Sequence, residues 1–207
     1  MKIDSPVVSI DRAVEYSLNV KRSRFLGYAE PVFEVEGVRE VVSRVSRVHR
    51  DADHNCWAFK IGDDFGFSDG GEPSGTAGKP ILGAIEKLGL NGVVVVVTRY
   101  FGGVKLGRRG LIDAYFTTAY RTLCTARKVK YSPILIVRLE MCYREYEKFL
   151  KSVSGMNVRF GEKNFSYDGL KCEISLLDAD YQKIREKFGD SIRMEVVDRV
   201  FEPIGSS

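Results

Sequence analysis

Apolar residues recur along the chain at two spacings, which predict both helices and strands. Val38, Val41, Val45 and Val48 are three or four residues apart, and this spacing places them on one face of an amphipathic helix. Residues 93–97 are apolar at every position, which is typical of a strand buried on both faces. For the first 130 residues the pattern predicts strands over 15–20, 25–33, 56–61 and 93–98, and a long loop over 62–78. It predicts three helices: one over 38–48, one that begins at a Thr76 cap and ends at Gly89, and one that begins at 106 or 111 and ends at about 127.

A different order of elements is predicted after Pro133. The pattern gives strands over 134–141, 158–165, 170–177 and 192–201, with helices over 143–153 and 180–188. The order βαββαβ is the split-βαβ, ferredoxin-like arrangement, for which about 75 residues are enough. The sequence therefore predicts an α+β fold with an N-terminal domain over residues 1–130 and a ferredoxin-like C-terminal domain over residues 131–207.

Composition is that of an ordinary globular protein. Of the 207 residues, 44% are hydrophobic and 29% are charged, so a disordered or fibrous chain is not expected. The longest apolar run is far shorter than the roughly 20 residues that cross a bilayer. The first six residues include an acid and a proline where a signal peptide would be apolar. We therefore expect a cytoplasmic protein without a membrane partner.

The positions of the cysteines and of the charged residues further limit the kinds of site that are expected. The four cysteines, Cys56, Cys124, Cys142 and Cys172, stand singly, which favours reduced thiols over a zinc site or a disulfide scaffold. We expect no metal and no cofactor. The net charge of +4 is mild, but basic residues outnumber acidic ones only in residues 1–130. A site for an anionic partner is therefore expected in the N-terminal domain.

The first candidate site is a glycine-rich polar segment, residues 68–80, just ahead of a predicted helix. Such a loop can point backbone N–H groups at an anion, helped by the helix dipole. Its candidate contacts are Ser74, Thr76 and Lys79, with the carboxylates of Asp69 and Glu72. The segment is not a Walker A loop, because Pro73 stands where that motif has Gly and Pro80 follows the lysine. The alternative is a rigid turn held by its own side chains.

The second candidate is a basic turn that follows the buried strand and leads into a helix, a usual place for ligand contacts in α/β sheets. It contains Arg99, Lys105, Arg108 and Arg109, with Gly102 and Gly103 between them. Its glycines do not fit the dinucleotide-binding motif. With Tyr100 and Phe101 interleaved, the charge suits attraction of phosphates and stacking of bases. The alternative is a solvated helix face with two core aromatics.

His54 and Cys56 form a third, weaker candidate. Their spacing places both side chains on one face of a strand, which permits a Cys–His nucleophile or a metal pair. The chain has only two histidines and no nucleophile elbow. We therefore favour an ordinary polar contact of His54 that holds the neighbouring loop.

Four segments together resemble a known family. They are Lys-Arg-Ser-Arg-Phe at 21–25, Asp-Ala-Asp-His-Asn-Cys-Trp-Ala-Phe at 51–59, the glycine-rich segment at 68–80, and Arg-Tyr-Phe-Gly-Gly-Val-Lys-Leu-Gly at 99–107. Their order and spacing resemble the IMPACT/YigZ family over about residues 10–125. The resemblance implies an N-terminal domain with the second-domain fold of a small-subunit ribosomal protein and a C-terminal domain similar to one of an elongation factor. It also implies a role in binding RNA or the ribosome, by analogy of fold.

Two departures from the family pattern bear on chemistry. The family usually has Asp-Asp-Gly-Glu-Pro where this chain has Asp-Gly-Gly-Glu-Pro at 69–73, so one carboxylate is lost. That loss argues against a site that needs paired acids. The family also has Gly-Thr-Gly-Gly-Leu and a basic residue where this chain has Gly-Arg-Arg-Gly-Leu at 107–111, with Asp113 at the position of the base. The second departure adds positive charge at the turn.

These observations predict a non-catalytic protein linked to translation or its regulation that binds RNA or the ribosome. Arg99, Lys105, Arg108 and Arg109 are expected to attract phosphates, with a second patch formed by Lys21, Arg22, Arg24, Arg47 and Arg50. The main alternative is an enzyme or small-ligand protein that holds a phosphorylated metabolite in the loop 68–80, with Asp69 or Glu72 as the acid–base group. A third reading is an adaptor that binds a protein partner through the C-terminal domain.

Overall fold

A computed structural model describes residues 5–204, which divide into two compact units. Unit 1 comprises Val7–Lys130, and unit 2 comprises the described residues from Tyr131 onward together with Ser5 and Pro6. The fold is α+β, with two sheets and five helices among the described residues.

Unit 1 is a five-stranded antiparallel sheet with helices on both faces. Its elements are β1 (Val7–Ile10), β2 (Val14–Val20), β3 (Ser23–Pro31), α1 (Val35–Val48), β4 (His54–Ile61), β5 (Asp64–Ser68), α2 (Gly78–Lys87), β6 (Val93–Tyr100) and α3 (Gly107–Cys124). The sheet order is β2-β3-β6-β4-β5, so β6 is the central strand. Because both faces of β6 are covered, its valines are fully buried, as the unbroken apolar run predicts.

The two faces of this sheet are packed differently. One face carries Phe25, Cys56 and Val97, which form the main core with α2 and α3. Strand alternation turns Leu26 and Thr98 to the opposite face, beside α1. This difference between the two faces bears on the candidate site. The site lies at the end of β6, where loops on the side of α2 and α3 meet the turn between β2 and β3.

The predicted loop over 62–78 contains a strand, which the loop-like composition of this segment did not indicate. In β5, Phe65 and Phe67 alternate with polar or glycine positions, and β5 pairs with β4 as a hairpin. Gly62 adopts a positive φ of 60° at the turn, where glycine carries no steric penalty. β1 is likewise absent from the sequence prediction. Four residues are too few for a periodic signal.

Helix α2 begins at Gly78, and Thr76 is not its cap. The Thr76 hydroxyl instead donates to the Pro73 carbonyl at 2.6 Å. The predicted cap is therefore wrong, because a side chain distant in sequence satisfies the first amides of α2, as described below.

Unit 2 has the predicted element order βαββαβ. Its elements are β7 (Lys128–Met141, beginning in unit 1), α4 (Tyr143–Val153), β8 (Arg159–Phe165), β9 (Leu170–Leu177), α5 (Asp178–Phe188), a 3₁₀ turn (Gly189–Ser191) and β10 (Arg193–Pro203). The strands run antiparallel in the order β10-β7-β9-β8. Val137, Leu139 and Ile174 of the sheet pack with Phe149 and Ile184 of the helices, which gives unit 2 its own core.

Candidate nucleic-acid interface

A buried ion pair lies at the end of β6. Arg99 Nη1 donates to Glu72 Oε1 at 2.6 Å, and the two residues are only 5% and 8% exposed. The Tyr115 hydroxyl of α3 donates to the same Glu72 oxygen at 2.8 Å. Burial raises the pKa of Tyr115, with further increases from Cys56 and Glu72, so the phenol keeps its proton and remains a donor. Glu72 therefore joins the strand, the helix and the loop 69–77.

Arg99 is also held on its other sides. Its guanidinium carbon lies 5.5 Å from the ring centroid of Phe25 and 5.3 Å from that of Phe101. Arg99 Nη2 donates to Ser23 Oγ at 3.3 Å, while Nε lies buried without a hydrogen-bond partner among the described residues. The expectation that Arg99 attracts phosphates is therefore corrected, because its charge is buried and neutralised by Glu72.

The Asp69 carboxylate accepts hydrogen bonds from the backbone N–H groups that were expected to face an anion. Its Oδ1 accepts from the backbone N–H groups of Ala77 and Gly78 at 3.0 and 2.9 Å, and its Oδ2 accepts from that of Gly75 at 2.8 Å. Burial opposes ionisation of Asp69, but the three amides outweigh it, and the pKa lies below its ordinary value. The carboxylate thus fills the place expected for a phosphate.

The remaining predicted contacts of this loop lie around Asp69. Ser74 and Lys79 are exposed, and Lys79 Nζ lies 5.9 Å from the ring centroid of Phe67. Thr76 is buried and bonded to the Pro73 carbonyl. Asp69 and Glu72, predicted as contacts of the loop or as the acid–base group of the enzyme alternative, both accept hydrogen bonds from other groups of the protein. These contacts are those of the alternative that the sequence left open, a turn held by its own side chains.

His54 and Cys56 hold the same loop. His54 Nδ1–H donates to the Gly70 carbonyl at 3.0 Å, and its Nε2 lies 3.8 Å from Glu72 Oε1. The Cys56 thiol donates to the Asp69 carbonyl at 2.9 Å. Burial raises the pKa of Cys56 to about 12, so the thiolate that a nucleophile requires does not form near neutral pH. Both side chains position the backbone at residues 69 and 70.

The two predicted basic patches meet beside Gly102. A Cβ at Gly102 would lie 1.8 Å from the Arg22 carbonyl oxygen, so only glycine permits this approach of the two loops. Gly103 follows with a positive φ of 78°. Arg108 Nη2 donates to the Ser74 carbonyl at 3.0 Å, which places the start of α3 beside the loop 69–77. Six cations on these segments are exposed, and we call them the basic rim: Lys21, Arg22, Arg24, Lys105, Arg108 and Arg109.

Sequence reasoning missed a cleft of about 560 Å³ on the α1 face of the sheet. Its lining includes Arg24, Leu26, Tyr28, Arg44, Val48 and His49. Arg44 forms an ion pair with Glu30 and donates to the Tyr28 hydroxyl at 3.0 Å, and His49 Nδ1 lies 3.0 Å from the Tyr100 hydroxyl. The polar position of Arg44 on the predicted helix was the sequence feature that could have indicated this cleft. Arg47 and Arg50 are exposed at this end of α1, and Arg50 Nε lies 3.8 Å from Asp51 Oδ1.

Comparison with known proteins places these residues in a family. The model of the Impact N-terminal domain matches residues 21–123. The Escherichia coli protein described as IMPACT family member YigZ is 34% identical over 171 residues, which cover 79% of this chain and 74% of that protein. The chain belongs to the IMPACT family.

Another IMPACT family member and a solved structure are also similar to this chain. A Haemophilus influenzae IMPACT family member is 41% identical over 108 residues. That match covers 50% of this chain and about half of the relative, 52%. A crystal structure described as that of a hypothetical protein has a TM-score of 0.69 at 25% identity and covers 95% of this chain and 99% of its own.

The region matched by the IMPACT model contains every residue of the buried network. Ser23, His54, Cys56, Asp69, Glu72, Arg99 and Tyr115 come from separate segments of residues 21–123 and meet at one end of the sheet. At the departure from the IMPACT pattern, the backbone of Gly70 has a geometry that favours glycine. Gly70 has a positive φ of 52°, and a Cβ there would lie 2.3 Å from the Asn55 carbonyl oxygen. None of the helices described is long and apolar enough to span a membrane.

Proposed function

We propose that this protein binds RNA within the translation apparatus, without catalysing a reaction, through the basic rim of unit 1. The observation that carries the proposal is a set of exposed cations without a carboxylate partner. Lys21, Arg22, Arg24, Lys105 and Arg109 form no ion pair with any described residue. Unpaired surface cations can neutralise phosphates and so release the counterions condensed on the nucleic acid, which supplies a large share of the affinity of proteins for nucleic acids.

The buried network supports the proposal by joining the segments that carry the rim. The Glu72–Arg99 pair ties together the loops that carry Arg22, Lys105 and Arg108. Cations on a fixed scaffold lose less conformational entropy on binding than cations on mobile loops. The fold likeness to ribosomal and elongation-factor domains, which the sequence motifs imply, adds support by analogy.

The geometry favours binding over the enzymatic alternative. An acid–base role requires a carboxylate that reaches a substrate, yet Asp69 is bonded to three amides and Glu72 to Arg99 and Tyr115. The same contacts occupy the amides that would hold a phosphorylated metabolite. A structural role accounts for both acids.

Charge reversal at the rim tests the proposal. The triple variant R22E/K105E/R109E is expected to weaken binding of the full chain to a labelled RNA at least about tenfold at low salt. It should also reduce the slope of log affinity against log salt by about 2–3, since each lost phosphate contact contributes about 0.7–0.9. Fluorescence anisotropy at several salt concentrations measures both quantities.

A matched control separates the rim from net charge. The variant R144E/K151E/R193E reverses three exposed cations of unit 2 and changes the net charge equally. We expect this control to retain most of the wild-type affinity and salt slope. Equal losses in the two triple variants, or an unchanged rim variant, would show that the rim is not the RNA-binding surface.

A further inference from the structure

Phe101 is an exposed aromatic side chain held in a fixed position. The residue is 43% exposed, although it directly follows the central strand β6. Its backbone N–H donates to Asp53 Oδ2 at 2.7 Å, which fixes the chain at this point. One face of its ring lies against the Arg99 guanidinium, 5.3 Å from the ring centroid. The ring is therefore supported from within the protein while much of it remains open to solvent.

The Arg99 side chain beneath this ring is itself held by several contacts. Arg99 is bonded to Glu72 and Ser23, and its other side faces the buried ring of Phe25. Hydrogen bonds to Glu72 and Ser23 and the contact with the Phe25 ring oppose displacement of the guanidinium when a ligand presses on Phe101. Preorganisation of this kind reduces the conformational entropy that binding would otherwise cost. The arrangement suits a flat contact surface better than a flexible surface side chain would.

Exposed cations lie near Phe101 both along the chain and on the adjoining loop. Gly102, the next residue, packs against the backbone of Arg22, and Lys105 lies four residues after Phe101. An aromatic face next to unpaired cations is the combination by which proteins bind single strands, because the cations attract the phosphates and the ring stacks on a base. In duplex RNA the base faces are already stacked on one another and are not accessible.

We propose that Phe101 is a stacking platform for an unpaired nucleobase, so that the RNA bound at the basic rim is single-stranded at this point. This inference rests on the proposed RNA-binding function and specifies its ligand. The neighbouring aromatic residue does not share the role. The Tyr100 hydroxyl is bonded to His49, and strand alternation places Tyr100 on the α1 side. The stacking surface is therefore one ring, which every base can use because each has a π-face.

Phe65 provides a matched control for the loss of an exposed ring. It is 60% exposed and lies on the edge strand β5 of the same sheet. Phe65 pairs with Lys60, and Lys60 pairs with Val93, the first residue of β6, whereas Phe101 follows the last residue of that strand. The two phenylalanines thus lie at opposite ends of the sheet of unit 1.

The experiment measures binding of the full chain to two RNAs of equal phosphate number, a single-stranded oligouridine and a blunt-ended duplex without a loop. Wild type is expected to prefer the single strand. F101A should weaken binding to oligouridine by about 5- to 150-fold, the range found for loss of one base–aromatic stack, and change duplex binding much less. F101Y, which keeps the ring, and F65A should both behave like wild type. Thermal unfolding of each variant verifies that the fold is retained.

The outcomes distinguish the two proposals. If wild type binds neither RNA, the proposed function fails and the stacking role fails with it. If wild type binds both RNAs equally and F101A binds them as wild type does, RNA binding stands and the stacking platform is overturned. If F65A weakens binding as much as F101A, the effect is not specific to the basic rim, and the stacking role is again overturned.

Discussion

Replacing Glu72 with alanine is expected to lower the free energy of unfolding of unit 1 by about 3–5 kcal/mol, the usual cost of leaving one member of a buried ion pair without its partner. Arg99 would keep its charge in a site that is only 5% exposed, and the Tyr115 hydroxyl would lose its acceptor. Urea denaturation of the full chain measures this change. The fluorescence of Trp57, the single tryptophan, reports on unit 1 because it lies in β4.

A second glutamate in unit 1 serves as the control for this prediction. Glu86 lies 3.9 Å from Lys60 Nζ, but its side chain is 52% exposed. Ion pairs of this kind contribute about 0–1 kcal/mol, so E86A should unfold close to the wild-type urea concentration. Similar losses in E72A and E86A would contradict the central structural role of Glu72.

Replacing Asp69 with alanine is expected to cost about 2–4 kcal/mol. The change removes the carboxylate that accepts from three backbone N–H groups just before and at the start of α2. A hydrogen bond to a charged carboxylate contributes more to stability than one to a neutral capping side chain. D69N should also destabilise unit 1, because its amide would present a donor to at least one of these N–H groups. Urea denaturation at pH 7 measures both variants.

The contribution of Asp69 to the free energy of unfolding should also depend on pH in a defined direction. Its pKa is lowered in the folded state, so its contribution is fully present above the unfolded value of about 4 and is lost as pH falls through the lower folded value. The stability difference between wild type and D69N should therefore be constant from pH 7 to about 5 and shrink below about 4. A difference that grew on acidification would contradict the capping role.

The fold was predictable where hydrophobic periodicity is strong. The valines of α1 and the apolar run of β6 each specify an element without help from the rest of the chain. β5 escaped prediction because its two phenylalanines are spaced by aspartate, glycine and serine, which are typical of loops. The start of α2 was misplaced because Asp69 caps the helix from nine residues before Gly78, beyond the reach of a local capping rule.

The site was predictable in its members but not in their roles. Arg99 and Glu72 both stood out in the sequence, yet their pairing depends on the packing of β6 against a loop 27 residues away. A sequence shows a charged residue without showing whether it is buried, so Arg99 was expected at the surface. Lys105 and Arg109 carry no such buried partner and are exposed. The contact that joins the two basic segments at Gly102 also required the tertiary structure.

Ultraviolet crosslinking of the full chain to RNA in cell extract tests RNA binding at the basic rim most directly. Mass spectrometry of the digested protein identifies the peptides that carry nucleotides. RNA binding at the rim predicts crosslinks on peptides that contain Phe101 or the turn at Lys21 and Arg22, and fewer crosslinks in R22E/K105E/R109E. Crosslinks confined to unit 2, or none above the level of an unrelated basic protein, would contradict it.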